Sequence, residues 1–386
     1  MVASITRLHR EGVVMQLSTE RILTTHTGSL PRPASLPRAG TERTAEQLAE
    51  AVGSVVQAQL DAGIDVVNDG EASKPSYATY VTERLSGFGG TGEPLRPKDF
   101  DDFPLWAERM TSDPGRARRL ASPACIGPVS YRDTSLVQAD IANLRQATAG
   151  RDVADVFMSA ASPGVIAIFQ QNQYYGSDEE YIAALADAMK TEYDAIHAAG
   201  LVLQLDCPDL AMGWNVSRLG GTQEGFLVQV AGRVAAINHA TRDIPPEMMR
   251  LHLCWGNYEG PHTSDIPLRQ ILGEVLRARP AAISFEGANP RHEHEWAVFE
   301  EVRLPDGKAI IPGVIDSTTN YVEHPQLVAQ RIGRYARLVG RENVLAGSDC
   351  GFATFATSSA VDPQVAWAKL AAMAEGARLA SRALWA

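Results

Sequence analysis

The sequence predicts an α/β fold in which helices cover a parallel sheet. Three observations support this prediction: short apolar runs recur along the chain, helical stretches separate many of them, and polar residues follow most of the runs. Short apolar runs bounded by Gly, Pro or Asp are typical of strands buried on both faces. Strands that alternate with helices predict a parallel sheet. At 386 residues, the chain is long enough for one large α/β barrel or for two ordinary domains.

Nine apolar runs are candidate strands. In chain order they span residues 22–25, 64–68, 153–158, 165–169, 201–205, 250–254, 281–285, 309–315 and 343–346. Nine is one more than an eight-stranded barrel needs, so we expect one of the runs to belong to a hairpin or a short insertion. The segment 124–133 is ambiguous in the same way.

Helices are predicted between these runs from their start and stop residues. They span residues 44–62, 177–199, 265–277 and 324–339. The first begins with a Thr-Ala-Glu-Gln sequence that resembles a capping box, and Gly63 follows it as a stop signal. The Gly/Pro-rich stretch 87–97 and the acidic stretch 99–104 predict a long surface loop. The sequence has neither a Gly-x-Gly-x-x-Gly motif after the first strand nor a phosphate-binding P-loop motif, which disfavours a nucleotide-binding fold.

Composition excludes several classes of function. Lys and Arg number 35 against 46 Asp and Glu, which gives a net charge of −11. An acidic chain without a basic block is a poor nucleic-acid binder and has no cationic face for anionic membranes. The N-terminus has no apolar core of signal-peptide length, and no run approaches the roughly 18 apolar residues of a membrane span. We therefore expect a cytoplasmic enzyme or binding protein that acts on small molecules and keeps its thiols reduced.

Ionisable or metal-binding residues follow nearly every predicted strand. Active sites of α/β barrels lie at this end of the strands. In chain order the residues are His26, Ser29, Asp69, Glu71, Asp206, His252, Cys254, Asn257, Glu286, Asp316, Asp349 and Cys350. Charged side chains are seldom buried unless they are paired or bind a ligand, so this clustering predicts a functional site.

The sharpest motif is His252-x-Cys254 together with the distant Cys350. Residues i and i+2 of a strand face the same side, so His252 and Cys254 can point into one site. Imidazole and thiolate ligands suit zinc, and Cys350 would supply a third ligand from a neighbouring strand end. Glu286 could take a fourth position and yield it to substrate, as in catalytic zinc sites. An inward-facing core pair beside a buried thiol remains the alternative reading of this spacing.

Other residues at the strand ends are candidates for contact with substrate. Glu71 and Asp206 could hold the ammonium group of a substrate, although a structural ion pair or a helix cap would explain either residue alone. Ser29 could offer its hydroxyl and backbone N–H to a carboxylate. His26 and Asn257 lie at the same end and complete the predicted substrate site.

Two further features are assigned structural roles. The stretch 291–295, with the sequence RHEHE, resembles a metal site but is expected to be a solvated helix start, and His262 is expected at the surface. Cys125 is expected to be a buried thiol. Cys207, beside the substrate candidates, could line a pocket, although a buried thiol is again the favoured interpretation.

Four motifs together resemble the catalytic domain of cobalamin-independent methionine synthases. They are residues 24–33 (TTHTGSLPRP), 69–71 (DGE), 252–254 (HLC) and 349–351 (DCG). Their order and approximate spacing match that family over most of the chain. The resemblance implies a (β/α)8 TIM barrel with loop insertions, zinc at the barrel mouth, and transfer of a methyl or alkyl group to a thiol. It also implies one catalytic domain over residues 21–386, preceded by an extension over residues 1–20.

The resemblance also assigns residue roles. The implied zinc ligands are His252, Cys254, Glu286 and Cys350. Ser29, Glu71 and Asp206 match the positions that hold the amino-acid part of homocysteine. Asp316 and Asp349 are expected to shuttle protons or to orient the ligands.

The chain departs from the family pattern in three places. It has only a short leader where the full-length folate-dependent enzyme has a second barrel. Cys207 stands in place of a Glu, and the stretch 316–319 lacks the His of an Asp-x-His motif. These departures leave the methyl donor open. It is either methyltetrahydrofolate or a corrinoid, and a corrinoid protein could deliver the latter.

The resemblance leaves two alternatives open. An epoxyalkane:coenzyme M transferase shares the zinc motif and would need a cation for the sulfonate. Arg32, Lys74 and Arg291 are candidates for that cation, although surface placement would also explain them. A metal-free decarboxylase or lyase of the uroporphyrinogen decarboxylase type is the second alternative. Apart from these enzymes, a non-catalytic binding protein or a metal-storage relative is also open. The oligomeric state is open between a monomer and a homodimer.

Overall fold

Strands alternate with helices along the chain, as predicted. The computed structural model describes residues 14–37, 41–112, 122–216, 221–356 and 360–386. The strands are β1 Val66–Val67, β2 Phe88–Gly89, β3 Ala124–Cys125, β4 Asp155–Ala161, β5 Val202–Asp206, β6 Met249–Leu253, β7 Ala282–Phe285, β8 Ala309–Ile315 and β9 Gly347–Ser348. The α-helices of the described residues are Ala45–Asp61, Val81–Arg84, Asp99–Asp102, Pro104–Thr111, Ser135–Thr148, Pro163–Phe169, Asp178–Ala198, Met212–Asn215, Gln223–Ala240, Leu268–Val275, Pro325–Val339 and Pro363–Leu384. Short 3₁₀ turns span Pro208–Leu210, Pro246–Met248, Glu293–Glu300 and Arg341–Asn343.

The main sheet closes into a barrel. Seven parallel strands follow one another in the order β1-β4-β5-β6-β7-β8-β9. The predicted first strand, 22–25, fills the space between the two edges. Thr24 forms a parallel bridge with Ala346, and its carbonyl accepts the backbone N–H of Val66 at 3.0 Å. The predicted (β/α)8 barrel is therefore confirmed, with 22–25 as an abbreviated eighth strand.

One predicted strand is wrong. The apolar run 165–169 lies in the helix Pro163–Phe169, and Ser162 is the N-cap of that helix. The Ser162 hydroxyl accepts the backbone N–H of Val165 at 3.0 Å and so caps the helix. A run of five apolar residues fits a buried helix as well as a buried strand, and here the N-cap and the Pro at the first turn decide for the helix.

Caps explain where the predicted helices begin and end. Thr44 and Gln47 form the capping box of the helix Ala45–Asp61, and Gly63 follows it with φ +81°. The predicted helix 265–277 is shorter than expected, since it begins after Pro267 and covers Leu268–Val275. Residues 265–267 belong instead to the loop between β6 and this helix.

An insertion between β1 and the helix Ser135–Thr148 covers the barrel mouth. The predicted surface loop at 87–104 is wrong in part, because Asp99 and Phe100 are buried in the short helix Asp99–Asp102. The strands β2 and β3 pair antiparallel in the same insertion. Phe100, Trp106 and Met110 of the insertion line a cavity at this end of the barrel.

The register of the strands places side chains inside the barrel in rows. One row consists of the register partners Ser159, Gln204 and Arg250 on β4, β5 and β6. The next row consists of Asp206, His252 and Ser284 on β5, β6 and β7. Because alternate residues share a face, the next inward positions after β6 and β7 belong to Cys254 and Glu286. The strands thus bring the candidate residues together.

The residues before the barrel are held against it. Met15 donates its backbone N–H to the Glu247 carbonyl at 2.9 Å, and the buried Ser18 hydroxyl donates to the Val344 carbonyl at 2.6 Å. The remainder of the predicted extension, residues 1–13, lies outside the described residues. No helix in the described part of the chain is both long enough and apolar enough to cross a membrane.

Candidate functional site

Three buried side chains meet at the barrel mouth. They are His252 on β6, Cys254 directly after it, and Cys350 after β9. One ring nitrogen of His252 and the two sulfur atoms lie within 4.8 Å of one another. The sequence motif therefore brings together a possible metal-binding triad rather than three unrelated core residues.

The chemistry of this triad fits zinc. His252 Nδ1 lies 3.1 Å from the Ser284 hydroxyl, whereas the buried Nε2 has no hydrogen-bond partner among the described residues. Burial lowers the pKa of His252 to about 4, which keeps the imidazole neutral and able to bind a metal. The Cys350 thiol hydrogen-bonds to Cys254 and lowers the pKa of Cys254. A neutral imidazole beside two thiols is a donor set that zinc prefers.

Glu286, the predicted fourth ligand, lies next to the triad. Its Oε1 accepts the Trp255 backbone N–H at 2.8 Å, and its Oε2 accepts the Asn289 side-chain amide at 2.7 Å. Burial raises the pKa of Glu286 to about 7. The carboxylate is not among the atoms within 4.8 Å that define the triad. Its role as an exchangeable ligand stays a prediction.

Asp349 holds the loop that follows Glu286. Its Oδ1 accepts the backbone N–H groups of Gly287 and Ala288, both at 2.8 Å. Its Oδ2 accepts the backbone and side-chain N–H groups of Asn289 at 2.8 and 2.9 Å. These four bonds fix the backbone beside Glu286, so the geometry favours a positioning role for Asp349.

Asp316 closes a turn of its own. Its Oδ1 accepts the backbone N–H and hydroxyl of Thr318 at 3.0 and 2.9 Å, and its Oδ2 accepts the same groups of Thr319 at 2.9 and 2.5 Å. All four bonds lie inside this turn. Asp316 does not line the cavity in front of the two cysteines. Its catalytic role stays a prediction.

A cavity of about 340 Å³ opens in front of the two cysteines. The predicted substrate residues Ser29, Glu71, Asp206 and Asn257 line it together with Cys254 and Cys350. Much of the remaining wall is aromatic, with contributions from Tyr77, Phe100, Trp106, Phe169, Tyr258 and Phe355. The cavity thus joins a polar floor beside the triad to an apolar wall built partly by the insertion.

Two carboxylates, those of Glu71 and Asp206, line the cavity floor near each other. Glu71 Oε1 accepts the Ser159 hydroxyl at 2.8 Å, whereas the buried Oε2 has no partner among the described residues. Burial and the neighbouring Glu71 charge raise the pKa of Asp206 to about 7. Glu71 has φ +56°, a backbone conformation that a non-glycine residue seldom adopts. Paired carboxylates with a free oxygen fit a cationic group of a ligand.

The other predicted substrate residues differ in their placement. The Asn257 amide donates to the Gly351 carbonyl at 2.7 Å, and its oxygen accepts the Ser317 hydroxyl at 3.0 Å. A side chain at Gly351 would meet the Ser29 hydroxyl at 2.0 Å, so the backbone there packs directly against Ser29. Asn257 and Ser29 therefore shape the same edge of the cavity.

His26 lies behind the cavity rather than on its lining. Its Nε2 lies 2.8 Å from Gln59 Oε1, and its ring packs 5.5 Å from that of Phe157. Burial lowers the pKa of His26 to about 3, so the ring is neutral. Direct contact between His26 and substrate stays a prediction.

The stretch 291–295 does begin a helix, the 3₁₀ helix Glu293–Glu300, but it is only partly solvated, because His292 and Glu295 are buried. The expected surface position of His262 is wrong. His292 and His262 are both buried and converge on Asp265, with His292 Nε2 3.1 Å and His262 Nδ1 2.9 Å from Asp265 Oδ2. Burial opposes a charge on His292, but its bonds to Asp265 and Glu295 raise its pKa to about 10. Spacing in the sequence gave no sign of this cluster, because its members come from two loops.

Tyr77 lines the cavity, although the sequence patterns do not predict it as a site residue. Burial and the nearby charges of Cys254 and Cys350 raise its pKa, so the phenol stays protonated and can donate a hydrogen bond. Its ring packs against that of Phe169 at 5.7 Å. Tyr77 follows the DGE motif within the insertion, where no local pattern marks a site residue.

None of the three candidate cations for a sulfonate lines the cavity. Lys74 is buried, contrary to the surface alternative, and its ammonium donates to the Ser159 carbonyl at 2.5 Å. The Arg32 guanidinium donates to the carbonyls of Lys74 and Glu71 at 2.8 and 3.1 Å. Arg291 is exposed.

Comparison with known proteins identifies the family. The family described as the cobalamin-independent synthase catalytic domain matches residues 120–377, well over half of the chain. The chain belongs to this family. The resemblance drawn from the four sequence motifs is thereby confirmed.

Individual relatives span almost the whole chain. A methionine synthase of Saccharolobus solfataricus is 24% identical over 368 residues, covering 92% of this chain and 94% of that protein. A methionine synthase of Thermococcus kodakarensis is 24% identical and covers 92% of this chain and 93% of its own length. The solved structure of a B12-independent methionine synthase from Shewanella sp. W3-18-1, in complex with selenomethionine, matches with a TM-score of 0.72 at 20% identity. It covers 94% of this chain and 99% of that chain, and it shows the same fold.

Proposed function

We propose that this protein is a zinc-dependent S-methyltransferase that methylates a thiol, homocysteine, to form methionine. The observation that carries the proposal is the buried triad of His252, Cys254 and Cys350 beside a cavity floored by Glu71 and Asp206. Membership of the cobalamin-independent synthase family and similarity to methionine synthases support it.

His252, Cys254 and Cys350 would hold the zinc, with Glu286 as the ligand that yields its place to the substrate. When bound, zinc lowers the pKa of a thiol, so that the nucleophilic thiolate forms near neutral pH. The peptide loop held by Asp349 keeps Glu286 beside the triad. The substrate sulfur would form a bond to the methyl carbon as the bond between that carbon and the donor breaks, which leaves the donor demethylated.

The cavity floor orients the substrate. Glu71 and Asp206 bind the ammonium group of homocysteine, and Ser29 offers a hydroxyl to its carboxylate. Three polar contacts leave the thiol end directed toward Cys254 and Cys350. Such positioning contributes a large part of the rate when two reactants must meet in line. The aromatic wall contacts the methyl donor, which is methyltetrahydrofolate or a corrinoid.

Metal analysis of the purified protein tests this proposal. We expect about one zinc per chain, because three protein ligands in a buried site hold the metal firmly. The variants Cys350→Ser and His252→Gln should lose it. Cys125→Ser, which changes a buried thiol outside the triad, should retain it. A wild-type protein without zinc, purified in the absence of chelators, would contradict the proposal and favour the metal-free lyase alternative.

Calorimetric titration with homocysteine and coenzyme M in parallel distinguishes the substrates. We expect homocysteine to bind more tightly, since the described cavity lining contains Glu71 and Asp206 but neither Lys nor Arg. Tighter binding of coenzyme M would instead support the epoxide-opening alternative.

A further inference from the structure

The two carboxylates of the cavity floor have matching environments behind them. Glu71 accepts a hydrogen bond from Ser159, and Asp206 Oδ1 accepts one from the Gln204 amide at 2.7 Å. Ser159 and Gln204 are register partners on β4 and β5, one row below the floor. Each carboxylate is therefore held from below by a neutral side chain.

Each neutral side chain is in turn bonded to a buried cation. The Lys74 ammonium lies 3.3 Å from the Ser159 hydroxyl and 2.5 Å from the Ser159 carbonyl. Arg250 Nε donates to Gln204 Oε1 at 2.7 Å. The other guanidinium nitrogens of Arg250 donate to the Thr25 hydroxyl and to the His26 carbonyl, at 2.9 and 2.5 Å. Lys74 and Arg250 are both buried.

This arrangement solves an electrostatic problem. Two neighbouring buried carboxylates repel each other, and a nearby positive charge offsets part of that repulsion. A direct ion pair with Lys or Arg would neutralise that charge but would also compete with a ligand for the carboxylate oxygens. A cation placed one hydrogen bond further away stabilises the carboxylate and leaves an oxygen free, as seen for Glu71 Oε2.

We propose that Ser159 and Gln204 are positioning residues that connect Glu71 to Lys74 and Asp206 to Arg250, and thereby keep both carboxylates ready to bind the ammonium group of the substrate. The inference rests on the proposed function, because it deepens the role of the same cavity floor.

Paired ligands isolate the ammonium contribution. Homocysteine and 4-mercaptobutanoate differ only in the amino group, so the ratio of their dissociation constants measures ammonium recognition. Titration calorimetry on the zinc-containing protein gives this ratio for the wild type and for Ser159→Ala and Gln204→Met. We expect each variant to reduce the ratio about ten-fold, the scale of one charge-assisted hydrogen bond. Zinc content and the unfolding midpoint are measured on each sample.

Two further variants separate positioning from a general loss of structure. Ser159→Thr keeps the hydroxyl and should restore most of the ratio. Ser162→Ala removes another buried hydroxyl that donates to a carboxylate, Asp209 Oδ1 at 2.7 Å, outside this network. It should lower stability and leave the ratio unchanged.

The possible outcomes are distinct. An equal loss of affinity for both ligands in Ser159→Ala and Gln204→Met, or an unchanged ratio, would overturn the positioning role. A wild-type protein that binds both thiols equally would instead contradict ammonium recognition, and with it the proposed use of homocysteine.

Discussion

Single inward-facing residues on β5 and β6 determine what the cavity floor can bind. Asp206 and His252 are register partners, and Cys254 follows His252 by two positions, so all three point into the barrel. The sequence predicts this grouping because alternation along a strand fixes the facing of each side chain. It could not predict that Glu286 would bond to Trp255 and Asn289, since those bonds depend on the loop after β7.

Asp349→Asn tests the support of that loop. The amide of Asn would turn an N–H group toward backbone N–H donors, so we expect a loss of about 1–3 kcal/mol in the free energy of unfolding. Zinc affinity should also fall, because the 287–289 backbone fixes Glu286. Urea unfolding and zinc titration measure both. Asp316→Asn is the control, because it disturbs a different turn that also has four hydrogen bonds; it should lose stability but keep its zinc affinity. Equal zinc affinities in the two variants would argue against a role of Asp349 in positioning Glu286.

The His292–Asp265 pair predicts a pH dependence of stability. The folded pKa of His292, about 10, lies above its ordinary value of 6.5. The folded state therefore binds the proton more tightly, and the stability from this pair is complete below pH 6.5 and is lost as the pH rises through about 10. His292→Gln should be most destabilising at pH 6 and progressively less so toward pH 10, measured by urea unfolding. A difference from the wild type that stays constant over this range would contradict the pairing.

At the scale of elements, the insertion is where sequence reasoning was least successful. Its acidic stretch 99–104 is typical of a solvated loop, yet Asp99 is fully buried. Asp99 accepts hydrogen bonds from the Tyr258 hydroxyl at 3.0 Å, the His262 N–H at 3.1 Å and the Thr263 hydroxyl at 2.9 Å. These donors lie far away in the chain, so no local pattern could have indicated that the carboxylate is satisfied inside the protein.

Asp99→Ala tests whether this contact attaches the insertion to the barrel. The donors on Tyr258, His262 and Thr263 would lose their buried acceptor, so we expect a loss of about 2–4 kcal/mol in the free energy of unfolding. Amide hydrogen exchange over 95–112 should also become faster. Asp101→Ala is the matched control: its carboxylate is exposed and pairs with the exposed Arg96, so we expect a change within about 0.5 kcal/mol. Similar effects of the two substitutions would contradict the anchoring role of Asp99.

At the scale of the whole molecule, the alternation of strands and helices predicted a parallel sheet, and the resemblance carried by the four motifs implied the barrel. The structure confirms this fold, and the predicted strand ends lie at the mouth that carries the candidate site. The run 165–169 was misassigned because five apolar residues do not distinguish a buried helix from a strand. The aromatic wall could not be predicted, since its residues come from the insertion and from loops that meet only in the folded chain.

Metal binding should stabilise the entire barrel. His252 lies on β6 and Cys254 directly after it, whereas Cys350 follows β9, so the metal would link distant strands. A ligand that binds only the folded state contributes about 4 kcal/mol at 1,000 times its dissociation constant. Excess chelator should therefore lower the thermal midpoint of the wild type by several degrees and leave Cys350→Ser unchanged. An identical response of the two proteins would show that the metal, if bound, lies elsewhere.

The central claim is that the triad binds zinc and that the substrate thiol joins it. Zinc-edge X-ray absorption, recorded before and after addition of homocysteine, tests this claim most directly. We predict two sulfur ligands in the free protein, from Cys254 and Cys350, and a third after the thiol is added, with loss of one nitrogen or oxygen ligand. An unchanged sulfur count in the presence of saturating homocysteine would contradict the account.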